Sequence, residues 1–448
     1  LERNVAALEG ATHGFAFASG VATTDSLMKL FRAGDHVICA ENVYGGTYRL
    51  FDRLLQPLGL SFSFVDTRDP SAVRAAVTAR TVAIVCETPS NPMMRITDLA
   101  AMAEIARAAR ALLIVDNTFA TPFFQRPFDF GADVVYHSTT KYLNGHSDMI
   151  GGIAVVRDDE LAARLQFIQN AAGAVPGPFD SWLALRGTKT LHLRMPRHHE
   201  NGLAVAQWLE RRLGEAAVVC PGLPSHPQHA LAMRQMQGFS GMISIELGSK
   251  ARAKHLLDRV RVFSLAESLG GVESLISHPA TMTHASVPAE RKAMLGISDG
   301  LVRLSCGVED VADLIADLSQ ACDGRCPRRR RGAPPGGCAR AVPRKRGPPP
   351  PRRIPSPFPP RHPCARSPPS TPAPGSIPPT APHSTQCGPC PASTRSSGRC
   401  SAPSASGGSA TCSSRTPSAS VRSSGRNSTP STPRCWRPST SATAPSCT

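Results

Sequence analysis

The chain has 448 residues, 41% of them hydrophobic, enough for more than one domain with a sizeable core, and a formal net charge of +17. Of its 50 Lys and Arg, 20 fall in residues 323–448 against one acid there, Asp323, while the other 30 face 32 acids in residues 1–322, a net of −2. The slightly acidic body is therefore no polyanion-binding surface, and no apolar run approaches the ~20 residues of a membrane-spanning helix.

Five of the 14 cysteines (Cys39, Cys86, Cys220, Cys306, Cys322) are scattered through the body with neither metal-ligand spacing nor a pairing framework. That pattern suits a reducing, cytoplasmic setting and no metal site. No basic-then-apolar leader is visible. The chain begins at Leu1 in a helix-like segment and is expected to be a fragment of a longer protein.

Near-continuous aliphatic runs predict strands at His36–Ala40, Phe62–Val65, Val82–Cys86, Leu112–Asp116, Asp133–His137 and Gly152–Val156, each covered on both faces. Thr97 and Asp98 are expected to cap a helix running to Ala111, with Leu99, Met102, Ala106 and Ala109 along one face. This β-α rhythm predicts an α/β large domain over 1–192 with a mostly parallel sheet. A helix past His198–Glu210, a Pro-Gly loop at Pro221–His229, an alternating segment at Gly241–Leu247 and helices at Ala251–Arg259 and Val311–Cys322 predict a smaller α+β domain over 193–322. From Asp323 periodicity stops, and residues 323–448 have the composition of a disordered basic tail.

Four segments carry candidate chemistry. Ser138-Thr139-Thr140-Lys141-Tyr142 follows a strand: a lysine there, beside hydroxyls able to bind a phosphate, suits a Schiff base to an aldehyde cofactor. Val115-Asp116-Asn117-Thr118 ends a buried strand with a carboxylate able to pair with a pyridinium nitrogen. Ala18-Ser19-Gly20-Val21 opens a helix running to about Phe31, whose free N–H groups form a phosphate site. Tyr44, in Val43-Tyr44-Gly45-Gly46-Thr47, offers an aromatic ring to stack on a planar cofactor. Read singly, each has an ordinary alternative: a solvated lysine, a turn aspartate, a plain strand-to-helix turn and a loop tyrosine. Their conjunction is the signal.

These segments, with Glu87-Thr88-Pro89-Ser90-Asn91-Pro92, Ser138–Asp148 (STTKYLNGHSD), Ala266-Glu267-Ser268-Leu269-Gly270-Gly271, Met282-Thr283-His284 and Arg303-Leu304-Ser305, resemble the Cys/Met-metabolism family of pyridoxal-phosphate (PLP) enzymes, in family order over Leu1–Cys322. The resemblance implies a fold-type I, aspartate aminotransferase-like enzyme. It implies Lys141 as Schiff-base lysine and proton shuttle, Asp116 at the pyridine nitrogen and Tyr44 stacked on the ring. Gly20, Val21, Ser138 and Thr140 would hold the phosphate, with Thr118 also in the cofactor site. Asn91 would bond near the ring hydroxyl, Arg303 would clamp the substrate carboxylate, Ser268 would orient the lysine and Glu267 would lie near the distal end of a γ-substituted substrate.

Ala266–Ser286 and Leu295–Glu309 look most like cystathionine γ-lyases, which convert L-cystathionine to cysteine, 2-oxobutanoate and ammonia. Cystathionine γ-synthases, which join an O-acylhomoserine to cysteine, share these stretches and are the alternative. A third reading is a binding-only protein with a nucleic-acid-binding tail, which gives no reason for Lys141, Asp116 and Arg303 to occur together. The family assembles as a dimer of dimers, and its N-terminal segment, which supplies a tyrosine and an arginine to the neighbouring subunit's phosphate site, is expected to be missing here. The tail is expected to be frameshift read-through, because the change at Asp323 is abrupt and the composition beyond it lacks any acid; as a nucleic-acid patch Arg328–Arg331 lacks interleaved aromatics and a fold, and Cys387 and Cys390 make only half a zinc site.

Overall fold

A computed structural model describes residues 1–285 and 287–322. The expected basic tail, with Arg328–Arg331, Cys387 and Cys390, lies outside the described residues. Seven strands build the larger sheet: β1 (His13–Phe17), β2 (His36–Ala40), β3 (Ser61–Val65), β4 (Thr81–Glu87), β5 (Leu112–Asp116), β6 (Val134–Ser138) and β7 (Gly152–Val156). Their order is β1-β7-β6-β5-β4-β2-β3. The ladders joining β3, β2, β4, β5 and β6 are parallel, and β7 runs antiparallel to both its neighbours. The strands predicted from aliphatic runs all form. β1 is additional, and pairs His13 with Val156 through Phe17 with Gly152.

Helices cover the sheet where side-chain caps let them start. Ser19 Oγ accepts from Ala22 N (3.0 Å) at the head of Gly20–Met28. Asp98 Oδ1 accepts from Ala101 N (3.1 Å) at the head of Leu99–Ala109, which ends at Arg110 with φ of 54°. The cap there is Asp98 alone, because the Thr97 hydroxyl pairs with that of Thr67 (2.7 Å). Leu99, Met102, Ala103, Ile105 and Ala106 are buried toward the sheet, which gives the helix its apolar stripe.

The 23-residue helix Leu191–Leu213 leads to a second sheet. Its strands are β8 (Val218–Val219), β9 (Met242–Glu246), β10 (Ser264–Leu265), β11 (Leu275–Ser277) and β12 (Leu301–Ser305), in the order β10-β11-β12-β9-β8. Only β10 and β11 pair in parallel. Its apolar core, from Val205 and Leu209 through Ile243, Val302 and Leu318, is separate from that of the larger sheet.

Topology fixes where a ligand can sit. In a parallel sheet the strands deliver their last residues to one edge, and ligands bind beyond that carboxyl edge. β4, β5 and β6 end there with Glu87, Asp116 and Ser138. The register makes Glu87 a cross-strand neighbour of Asp116, and Asp116 a neighbour of Tyr136. Three polar side chains thus stand in a row on one face.

Candidate active site

A cavity of about 260 Å³ opens at that edge, lined by this row, by the start of the Gly20–Met28 helix and by Arg303 from β12. Of the residues singled out in the sequence, Gly20, Val21, Tyr44, Asn91, Asp116, Thr118, Ser138, Thr140, Lys141, Glu267 and Arg303 line it. Ser268 does not, yet its Oγ accepts from Lys141 Nζ (3.2 Å).

Lys141 sits in a turn gripped from several sides. Gly145 N donates to Lys141 O (2.7 Å), and Val272 N donates to Gly145 O (2.9 Å). Arg194, 5% exposed, donates to the carbonyls of Tyr142 (2.8 Å), Leu143 (3.3 Å) and Gly187 (2.9 Å), so its charge is spread over the carbonyls of the lysine turn and of the helix Pro178–Thr188. The Tyr142 hydroxyl accepts from Gly241 N (3.0 Å). Gly187 is required here, because a Cβ would come within 2.2 Å of Asn144 O. Burial, and the positive charge of Arg303, lower the Lys141 amine to about 8, with Glu267 pulling the other way. A desolvated amine of this kind is a free nucleophile and proton carrier near neutral pH.

Asp116 is fastened by Thr118, whose N–H donates to Oδ1 (2.9 Å), while the Thr118 hydroxyl accepts from Ser138 N (2.9 Å). Burial raises the Asp116 pKa, and the Thr118 hydrogen bonds, the His137 imidazole and Tyr136 work against it. Glu87 is held well above the usual carboxylate range by burial and by Asp116, although it accepts from Tyr44 N (2.8 Å) and Asn91 N (3.0 Å). Both carboxyls are thus pushed upward by burial, Asp116 against the stronger opposing hydrogen bonds from Thr118.

Arg303, 1% exposed, gives Nη1 to Asn91 Oδ1 (2.8 Å) and Nη2 to the carbonyls of Glu267 (2.9 Å) and Ser268 (3.0 Å). Its Nε is buried without a partner, a donor awaiting an acceptor. Burial lowers its pKa to about 10, which leaves it cationic at neutral pH. Asn91, expected near a ring hydroxyl, has its carbonyl oxygen committed to Arg303, so its amide nitrogen is the atom left to reach a ligand.

Tyr44, 42% exposed, stands at the mouth. A Cβ on Gly46 would lie 2.4 Å from its ring, so a glycine there lets the ring fold back over the first turn of the short helix Gly45–Arg49. At the opposite end Gly20 approaches Ser138 so closely that a Cβ would meet the Ser138 Cβ at 3.0 Å. The resulting cradle brings the helix start beside the Ser138 hydroxyl. The Thr140 hydroxyl is shared with Gly151, accepting from its N (3.1 Å) and donating to its O (3.3 Å).

These residues fit pyridoxal phosphate. An amine, a carboxyl group at a strand end, an aromatic face and a hydroxyl-lined helix start converge on one cavity of suitable polarity. Sequence reasoning missed Tyr136, hidden in a buried strand, and gave no role to Glu87 or Thr283, which line the cavity. The last two lie in segments already quoted for the resemblance.

Comparison with known proteins gives the family. The family model described as Cys/Met metabolism PLP-dependent enzyme matches residues 1–323. Cystathionine beta-lyase of Coxiella burnetii is 55% identical over 323 residues, 71% of this chain and 84% of its own. Cystathionine gamma-synthase of Mycobacterium bovis is 51% identical over 323 residues, covering 72% and 82%. The crystal structure of cystathionine gamma-lyase from Lactobacillus plantarum complexed with L-serine superposes with a TM-score of 0.69 at 46% identity, covering 71% of this chain and 84% of that one. With PLP as its cofactor, the chain belongs to the Cys/Met metabolism family of PLP-dependent enzymes.

Proposed function

We propose that this member is a cystathionine γ-lyase, cleaving the Cγ–S bond of L-cystathionine with water to give cysteine, 2-oxobutanoate and ammonia. The observation that carries the choice of substrate is Glu267, while the choice of Cγ–S cleavage rests on the γ-lyase-like stretches Ala266–Ser286 and Leu295–Glu309. The Glu267 carboxylate lines the cavity and acts electrostatically on both Lys141 and Arg303. It therefore suits a substrate that carries a second amino group beyond its sulfur.

Bound PLP supplies an electron sink for charge that develops at the substrate α-carbon. The remaining work falls to side chains. Arg303 receives the substrate α-carboxylate on its unpartnered Nε, and Asn91 keeps the fork oriented. Asp116 holds negative charge against the ring nitrogen end of the site. The Lys141 amine would take the α-proton, move protons at Cβ and return one to the departing sulfur. Ser268 Oγ holds the amine on this path.

The proposal includes self-association. Phe179 and Trp182 stack on each other at the surface, and Ile150, on the cavity lining, is 63% exposed. It also keeps residues 1–192 as cofactor domain and 193–322 as substrate-clamping domain, supported by the two separate apolar cores, and a cytoplasmic setting. Among the described residues no helix is long and apolar enough to cross a membrane.

The test is product identification after PLP-loaded protein meets L-cystathionine. Cysteine with 2-oxobutanoate supports the γ-lyase. Pyruvate with homocysteine assigns β-cleavage instead. Cystathionine formed from an O-acylhomoserine and cysteine, without turnover of cystathionine itself, assigns the γ-synthase.

A further inference from the structure

Next to the strand ends that carry Asp116 and Ser138 lies a buried polar cluster that no step above uses. Glu9, the last residue of the helix Glu2–Glu9, is 0% exposed. One of its oxygens, Oε1, accepts from His137 Nε2 (2.6 Å) and from Asn117 Nδ2 (2.8 Å). Asn117 directly follows Asp116, and His137 directly precedes Ser138. Along β6 the His137 side chain alternates with Tyr136 and Ser138, so it faces away from the cavity. Gln125 extends the cluster by donating to Asn117 Oδ1 (2.9 Å) and to Thr88 O (3.0 Å), one residue beyond Glu87.

We propose that Glu9 is a positioning residue for the cofactor site: its single carboxylate oxygen ties the ends of β5 and β6 together and so sets the spacing between Asp116 and Ser138. That spacing matters because the two side chains serve opposite ends of the same ligand, a carboxylate for the ring nitrogen and a hydroxyl for the phosphate. The inference rests on the reading of the cavity as the PLP site. A carboxyl oxygen suits the role, since its two lone pairs take both donors at short range, 2.6 and 2.8 Å. The same arrangement holds the His137 imidazole where it favours the ionised form of Asp116.

The experiment measures equilibrium PLP binding and the absorption spectrum of the bound cofactor in the full chain, for wild type, Glu9→Ala, Glu9→Gln and Asn117→Ala. Glu9→Ala is expected to weaken PLP binding about tenfold and to alter the spectrum, the size usual when a supporting contact behind a liganding residue is lost. Glu9→Gln, whose amide oxygen accepts the same two hydrogens, restores binding to within about threefold. Glu9→Ala with wild-type PLP affinity and spectrum overturns the proposal, even if its melting temperature falls. Should Glu9→Ala fail to fold, Asn117→Ala decides: weaker PLP binding with an unchanged far-ultraviolet spectrum supports the clamp, and unchanged binding refutes it. Wild-type protein that takes up no PLP overturns the cofactor reading itself, and the clamp with it.

Discussion

Replacing Lys141 by methionine should stabilise the cofactor-free fold at neutral pH and destabilise it slightly in alkali. The buried amine has its pKa lowered from 10.5 to about 8. At about 1.4 kcal/mol per pH unit, that gap is a penalty of about 3 kcal/mol, to order of magnitude. The folded value lies below the unfolded one, so between pH 8 and 10.5 the unfolded chain binds the extra proton and wild-type stability rises with pH. Below pH 8 the penalty is present in full. Methionine removes it but loses the hydrogen bond to Ser268 Oγ, a loss of about 1 kcal/mol. The variant should therefore exceed wild type by about 2 kcal/mol at pH 7 and fall short by about 1 kcal/mol at pH 11. Urea unfolding of both proteins at both pH values measures this, and taking the difference cancels other groups that titrate. A variant-minus-wild-type difference that stays the same from pH 7 to pH 11 would refute the claim that burial has depressed this amine.

Three further outcomes follow from the geometry. Arg303→Lys replaces a fork held by Asn91 and two carbonyls with a point charge, so kcat/KM should fall about 10- to 100-fold, mostly through KM; steady-state kinetics would show an unchanged KM if the arginine did not meet substrate. Gly187→Val drives a side chain into Asn144 O and should cost about 1–3 kcal/mol with loosened PLP binding, read by thermal melting and dialysis. Glu267→Ala should raise KM for L-cystathionine about tenfold, while a γ-substituted substrate without a distal amino group is turned over as before. Equal effects on both substrates would remove Glu267 from specificity.

The legibility of the sequence varied with the physical origin of each feature. β2, β5 and β7 emerge to the residue because strands buried on both faces must be continuously aliphatic. β1 does not: after His13 and Gly14 only the short apolar run Phe15-Ala16-Phe17 marks it, and its pairing to β7 is a long-range contact that local pattern does not encode. Lys141, Asp116 and Arg303 stood out through a multi-segment resemblance rather than through any one motif. Arg194, amid Leu191-His192-Leu193-Arg194-Met195-Pro196-Arg197, looks like one more solvated base, since its partners are backbone carbonyls. Glu9 is equally silent, because both its partners lie more than 100 positions away. The choice among γ-lyase, β-lyase and γ-synthase is not legible there either. Relatives named as β-lyase, γ-lyase and γ-synthase match this chain at 50–55% identity, so overall likeness does not separate the activities.

The central claim is that Lys141 bonds to PLP, and borohydride reduction of the PLP-loaded chain followed by peptide mass mapping tests it most directly. The account predicts the cofactor's mass fixed to the Lys141 side chain alone, and its disappearance in Lys141→Ala. A label carried by another lysine, such as Lys29 or Lys292, with Lys141 unmodified, would contradict it.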